Sequence, residues 1–372
     1  MKIAGFKIEE WMNKYEASAA YDLTTTCIAP LSINELPFSD EIFNLKLGYG
    51  DITGSERLKS AIGNLYEKQH HITVTHGAIG ANQLVFLSLL EAGDEVVSIV
   101  PTYQQHYSIP ESLGCNVKLY FLKEENHWLP DLEELDKMLS PKTKLLCLNN
   151  PNNPTGAVIP DWMLEEIVKI AERKNIWILS DEVYRGLNLI GKPYSKSIAD
   201  IYEKGISVGS MSKTYSLPGL RVGWIAGRAD IINEINHQRQ YNTISISALD
   251  DYFAAVALEN KEFISERNFK IMTNGLSVLN SWLNKTPKVR CILPKGGTTV
   301  LLNYNRDIPS RELCKNLQKS TGVALLPGET LEMEGYVRLG YCAENLEKAL
   351  EIFSDWLLSN RTSLQCAHKF RR

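Results

Sequence analysis

An α/β protein with a mostly parallel sheet sandwiched by helices, joined to a smaller α+β unit, is the fold class that three observations predict. Short apolar runs alternate with helical periodicities from about residue 54 to 227, the pattern of strands linked by crossover helices. After residue 228 the pattern changes to successive helices and then a second group of strands. The length of 372 residues exceeds one ordinary domain, while 44% hydrophobic and 23% charged residues are normal for a globular chain.

Taken in order, "GSERLKSAIGNLYEKQ" predicts a helix with Leu58, Ile62, Leu65 and Tyr66 on one stripe. "HGAIGANQLVFLSLLEAG" opens on glycines and continues as a mostly apolar, buried helix. "DEVVSIVP", "NVKLYFL", "TKLLCLNN", "IWILSDEVY" and "GISVGSMS" read as short buried strands. Between them "DLEELDKML" and "DWMLEEIVKIAERKN" read as helices, the second with Trp162, Leu164, Ile167, Val168 and Ala171 on its apolar side. "DIINEINHQRQY", "ALDDYFAAVALEN" and a long stretch near 260–285 are helical, the last linking two domains. "TTVLLNY", "GVALLP" and "GYVRLGYC" read as strands, with helices "SRELCKNLQKS" and "NLEKALEIFSDWLL" among and after them. The expected division is an N-terminal segment (1–45) completing the small domain, a large domain (46–260), a small C-terminal domain (261–358) and a solvated basic tail (359–372).

A net charge of -4 gives no reason to expect nucleic acid or an anionic membrane as partner. "MKIAGFKIEEWMNKYE" puts acids and lysines where a signal peptide needs an apolar core, and no run approaches a membrane span. The seven cysteines (27, 115, 147, 291, 314, 342 and 366) are scattered, with no CxxC and no metal-ligand pairing. A reduced, cytoplasmic protein without a metal is expected.

Four clusters carry chemistry, all at strand ends or helix starts, where open α/β sheets bind ligands. In "THGAIGAN", Gly77 and Gly80 let backbone approach a ligand as a helix begins, and the N–H groups of Ala78 and Ile79 face an anion such as phosphate; simple packing is the alternative. In "NNPNNPTG", two prolines and a glycine fix a turn that orients Asn153, unless it is an ordinary Asn-Pro turn. In "ILSDEVYRG", Asp181 ends a buried run and needs a cation or donor, with Tyr184 able to reach the same ligand; a structural pairing with a protein cation competes. In "GSMSKTYSLPGLRVGW", Ser210, Ser212, Gly219 and Arg221 surround Lys213, the setting of an amine kept beside something anionic.

In this order the four clusters resemble the class I/II aminotransferase family of fold-type-I pyridoxal 5'-phosphate (PLP) enzymes, over roughly residues 20–358. "SMSKTYSLPGLRVGW" and "NNPNNPTG" are the most specific matches. The resemblance implies that residues 46–260 bind PLP and that Lys213 forms a Schiff base with it, then moves protons between substrate Cα and cofactor. It implies phosphate contacts from Ser210, Ser212, Arg221 and the backbone of Gly77, Ala78 and Ile79. Asp181 would partner the pyridine nitrogen, Asn153 and Tyr184 the phenolic oxygen, and Tyr103 of "VPTYQQ" would stack on the ring. Arg338 of "YVRLGY" matches the arginine that forks onto the substrate α-carboxylate. Tyr49 of "LGYGDITG" matches a tyrosine that reaches the phosphate of a neighbouring subunit, which implies a homodimer with shared sites.

The chain departs from the family where a Gly-x-Pro segment commonly lies against substrate. "YDLTTTCIAPLSINEL" stands there, with Thr24 to Ile28 in its place, so Thr26 and Ile28 become candidate substrate contacts. "YSLPGLRVGW" and "IEEW" also resemble capreomycidine synthase, a family member that eliminates and closes a ring. The implied activity is transfer of an amino group between an L-amino acid and a 2-oxo acid. A PLP-dependent lyase or cyclising synthase is the alternative, since both begin with the same proton abstraction. A non-catalytic PLP-binding regulator would carry an added basic DNA-binding module, which this sequence does not contain.

Overall fold

The computed structural model describes residues 2–359, so the expected basic tail lies, beyond Ser359, outside the described residues. In chain order the helices are α1 (Lys7–Tyr15), α2 (Glu56–Gly63), α3 (Gly77–Leu89), α4 (Gln105–Ser112), α5 (Leu132–Met138) and α6 (Asp161–Lys174). They continue as α7 (Ile198–Ile201), α8 (Ala229–Arg239), α9 (Ala248–Glu259), α10 (Lys261–Lys285), α11 (Ser310–Thr321) and α12 (Leu346–Ser359). None of them is long and apolar enough to cross a membrane.

After a two-residue strand β1 (Tyr21–Asp22), seven strands form the main sheet: β2 (His71–His76), β3 (Glu95–Val100), β4 (Asn116–Phe121), β5 (Thr143–Asn149), β6 (Trp177–Asp181), β7 (Gly205–Ser210) and β8 (Val222–Gly227). Their order is β2-β8-β7-β6-β5-β3-β4, and only β8 runs against its neighbours. The strand interiors are apolar on both faces, as a sheet covered twice requires. Val96, Cys147, Leu179 and Ile206 pack with side chains of α3 and α8, whereas Val97, Leu146, Leu148 and Ile178 pack with those of α5 and α6.

The remaining strands are β9 (Thr299–Asn303), β10 (Val323–Ala324), β11 (Leu326–Pro327) and β12 (Tyr336–Gly340). The order β11-β12-β9 makes a small antiparallel sheet, and β10 pairs in parallel with β1. The N-terminal segment is thereby stitched to this unit. Leu23 N–H donates to Ala324 O at 3.0 Å and Gly340 N–H to Leu23 O at 2.8 Å. Gly340 is required there, because a Cβ would stand 2.0 Å from the Thr25 carbonyl oxygen.

Several expectations are corrected. Helix α2 stops at Gly63, so Leu65 and Tyr66 leave the Leu58–Ile62 stripe; Tyr66 instead accepts a hydrogen bond from Trp224 Nε1 at 2.9 Å. Trp162 is 58% exposed, because the helix turns Met163, Leu164, Ile167, Val168, Ile170 and Ala171 inward. "GVALLP" is not one strand, since its two halves pair with different partners. β2 was not read as a strand, and β8 begins within the end of the lysine motif, at residues 222–224.

Candidate active site

The carboxyl ends of β5, β6 and β7 lie side by side, with Asn149 opposite Asp181 in register. Above them a cavity of about 240 Å³ is walled by these strand ends, the start of α3, the N-terminal segment and β12. It gathers Ala78, Ile79, Tyr103, Asn153, Asp181, Tyr184, Ser210, Ser212, Lys213, Arg221, Arg338 and Thr26.

At one end the donors suit an anion. Helix α3 begins at Gly77, so the N–H groups of its first turn lack helical acceptors and point out of its start. Gly77 has φ 66°, and a Cβ on it would stand 2.6 Å from Arg221 Nη2. Glycine therefore lets the guanidinium lie against the helix start. Arg221 follows the turn Pro218–Leu220 in a left-handed conformation (φ 52°), with Nη1 donating to Pro218 O at 2.8 Å and Ser212 Oγ at 3.4 Å. Gly80 has no such role: a Cβ there would meet nothing nearer than 3.9 Å.

In the middle lies Asp181, buried at the end of β6. Asn82 Nδ2 donates to its Oδ2 at 2.9 Å and Val183 N–H to its Oδ1 at 3.2 Å, while His106 Nε2 stands 3.3 Å from Oδ2. Asn82, on α3, and His106, on α4, were not foreseen. His106 carried no signal beyond lying three residues after Tyr103. Asn153 is fixed by its own N–H, which donates to Asn149 Oδ1 at 2.6 Å.

Lys213 donates from Nζ to Thr26 Oγ1 at 2.5 Å and to Cys27 Sγ at 3.1 Å. Burial alone would depress its pKa, but Tyr184 and Cys27 facing it outweigh burial and leave it raised. Tyr184 is buried, and burial pushes its phenol up against the opposing pull of Lys213 and Arg338. Cys27 is a further site residue; its only sequence signal was its place in the segment that departs from the family pattern.

At the other end Arg338, on β12, is 2% exposed. Its Nη2 donates to Thr24 O at 2.8 Å and its Nη1 to Asn153 Oδ1 at 3.3 Å, while its Nε is buried without a partner. Burial holds its pKa below the usual guanidinium value. A buried guanidinium with a spare donor and, among the described residues, no carboxylate within ion-pair distance is set for an anionic ligand. Tyr103 donates to Glu9 Oε1 at 2.7 Å and packs on Phe6, with ring centroids 4.8 Å apart. Glu9, on α1, also lines the cavity and was not foreseen.

Two expected residues are elsewhere. Ile28 is fully buried in the apolar core and is not on the cavity wall, which corrects its reading as a substrate contact. Tyr49 is 85% exposed on the surface and does not enter this chain's own cavity. A larger cavity of about 300 Å³ between α10 and α12 holds none of the expected residues.

This donor set fits PLP. The helix start, Ser210, Ser212 and Arg221 would hold the phosphate, Asp181 the pyridine nitrogen, Asn153 and Tyr184 the phenolic oxygen, and Lys213 the aldehyde carbon. Gly77, which keeps the anion end open, is the observation behind that fit, and the unpaired Arg338 Nε leaves a second anion, the substrate α-carboxylate, its donor. Arg221 is exposed at the mouth rather than desolvated, so its contribution is moderate. Arg221→Ala should weaken PLP binding about tenfold, measured by equilibrium dialysis. Unchanged affinity would remove Arg221 from the phosphate site.

A sequence model of the family described as aminotransferase class I and II matches residues 34–353. The chain is 29% identical over 362 residues to capreomycidine synthase of Streptomyces vinaceus, covering 94% of this chain and 93% of that protein. It is 30% identical over 316 residues to an aspartate aminotransferase of Thermotoga maritima, covering 82% and 81%. The crystal structure of a PLP-dependent aminotransferase from Streptococcus suis superposes with a TM-score of 0.92 at 42% identity, over 96% of this chain and 99% of that one.

Proposed function

The chain belongs to the class I and II aminotransferase family of PLP-dependent enzymes, and on that premise we propose that it moves the amino group between an L-amino acid and a 2-oxo acid. The observation that carries the reading is one cavity shared by the Lys213 amine, the Asp181 carboxylate and the Arg338 guanidinium. PLP, when bound, supplies an electron sink that allows a proton to leave the substrate Cα. Lys213 would hold the cofactor at its aldehyde carbon and, as a free amine, would take that proton and return it. Asp181, fixed by Asn82 and Val183, keeps the pyridine nitrogen protonated. Arg338 receives the α-carboxylate, which orients Cα toward Lys213. In this structure the amine donates to Thr26 Oγ1 and Cys27 Sγ.

A homodimer in a cytoplasmic setting belongs to the proposal. Its support is a run of exposed apolar side chains around Tyr49, namely Phe43, Leu47 and Ile52, together with six unpaired cysteines among the described residues. The residue division 1–45, 46–260 and 261–358 is proposed with it, the first segment serving both the small unit and the substrate site.

A stoichiometry experiment tests the activity. Given amino acid alone, the holoenzyme should release one 2-oxo acid per site and stop; a second 2-oxo acid should restart it. Sustained turnover without an acceptor, with release of ammonia, a thiol or a cyclic product, would instead favour a lyase or cyclising synthase. That second reading is supported by the likeness to capreomycidine synthase and by Thr26 and Cys27 at the amine.

A further inference from the structure

We propose that Glu9 selects the substrate side chain, and that this site takes amino acids ending in a cation, an ammonium or guanidinium on an aliphatic stem. The inference deepens the proposed function and rests on its placing of Arg338 on the α-carboxylate. Five charged residues line the cavity: Glu9, Asp181, Lys213, Arg221 and Arg338. Four of them have a duty toward PLP or the α-carboxylate. Glu9 has none.

Glu9 is half-buried on α1 and forms no ion pair within 4.0 Å among the described residues. Its Oε1 accepts the Tyr103 hydroxyl proton at 2.7 Å, which fixes the carboxylate in the wall. The neighbouring lysine is turned elsewhere: Lys7 Nζ lies 2.6 Å from Glu332 Oε1. The rest of the α1 wall is apolar, with Ile8 and Met12 beside Glu9. An aliphatic stem can lie along these side chains while its cationic end meets the carboxylate. A second substrate carboxylate would face Glu9 directly, and an uncharged side chain would bury the carboxylate with only a phenol as partner.

The test titrates holoenzyme with L-ornithine, L-arginine, L-norleucine and L-aspartate, following the change in cofactor absorbance. That change reports occupancy whatever reaction follows. The cationic amino acids should bind about 10- to 100-fold more tightly than L-norleucine, and L-aspartate more weakly still. Glu9→Gln, which can still accept from Tyr103, should bring the ornithine-to-norleucine ratio close to one. Tyr103→Phe removes the hydroxyl but leaves the carboxylate, and should keep the preference. If Glu9 only braces Tyr103, Glu9→Gln would leave the wild-type ornithine-to-norleucine ratio unchanged, which would overturn the inference. Wild-type protein binding norleucine or aspartate as well as ornithine would also overturn it. Ornithine that occupies the site but passes its amino group to no 2-oxo acid would sink the aminotransferase reading while leaving the Glu9 assignment supported.

Discussion

Lys213→Ala is expected to turn over about 10⁴-fold more slowly than wild type while remaining folded and still taking up PLP weakly. The size follows from two losses at one atom. On the proposed reading, Nζ would attach the cofactor, and the same amine would carry the proton to and from Cα. The neighbours of Nζ, Thr26 Oγ1 and Cys27 Sγ, carry no amine that could replace it at the cofactor. The fold should tolerate the change, because it removes a buried amine whose partners can bond water instead. Borohydride treatment followed by peptide mapping checks the assignment. In wild type the cofactor should be fixed on the peptide containing Lys213, and in the variant on none; label on another lysine would overturn it. The same variant probes shared sites, since mixing it with an inactive Tyr49 variant should restore partial activity only if each site draws on two chains.

Asp181→Asn is expected to lose about 10³-fold in kcat with little change in thermal midpoint. The amide keeps the shape of the carboxylate, and its oxygen can still accept from Val183 N–H or Asn82 Nδ2, so the end of β6 should hold its form. What it lacks is the negative charge that, on the proposed reading, would keep a proton on the pyridine nitrogen. Burial makes that charge effective, because at the cavity floor water cannot take its place. Saturating kcat measured beside a melting curve separates this from instability. Activity within tenfold of wild type would show that Asp181 does not govern the ring nitrogen.

The large sheet was legible because its central strands are apolar on both faces and therefore appear as unbroken runs, such as Leu145 to Leu148 and Ile178 to Leu179. β2 and β8 were not. β2 lies at the sheet edge, where threonines and histidines alternate with Ile72 and Val74, and β8 is rich in glycine and follows directly on the lysine motif. Among the site residues, those inside short motifs could be found by their spacing. His106, Glu9 and Cys27 could not, because each is brought in by tertiary packing from a different element, and Asn82, though it ends "THGAIGAN", is tied to Asp181 only by the fold. Trp162 shows the opposite limit: helical period marks a face, but the first turn of α6 leaves its largest side chain in solvent. Ile28 was drawn toward the substrate by its neighbours in sequence, whereas the backbone turns it into the core one residue after Cys27.

The stitching of the N-terminal segment to the small sheet has an evolutionary consequence. Asp181, Ser210, Ser212 and Lys213 belong to the main sheet and the loop that leaves it, whereas Glu9, Thr26 and Arg338 belong to α1, the segment after β1, and β12. On the proposed assignments, substitutions in the first thirty residues would therefore retune which amino acid is accepted without disturbing the groups that would retain PLP. A lineage built this way can exchange one nitrogen donor for another through mutations that are individually viable, with its chemical core inherited intact.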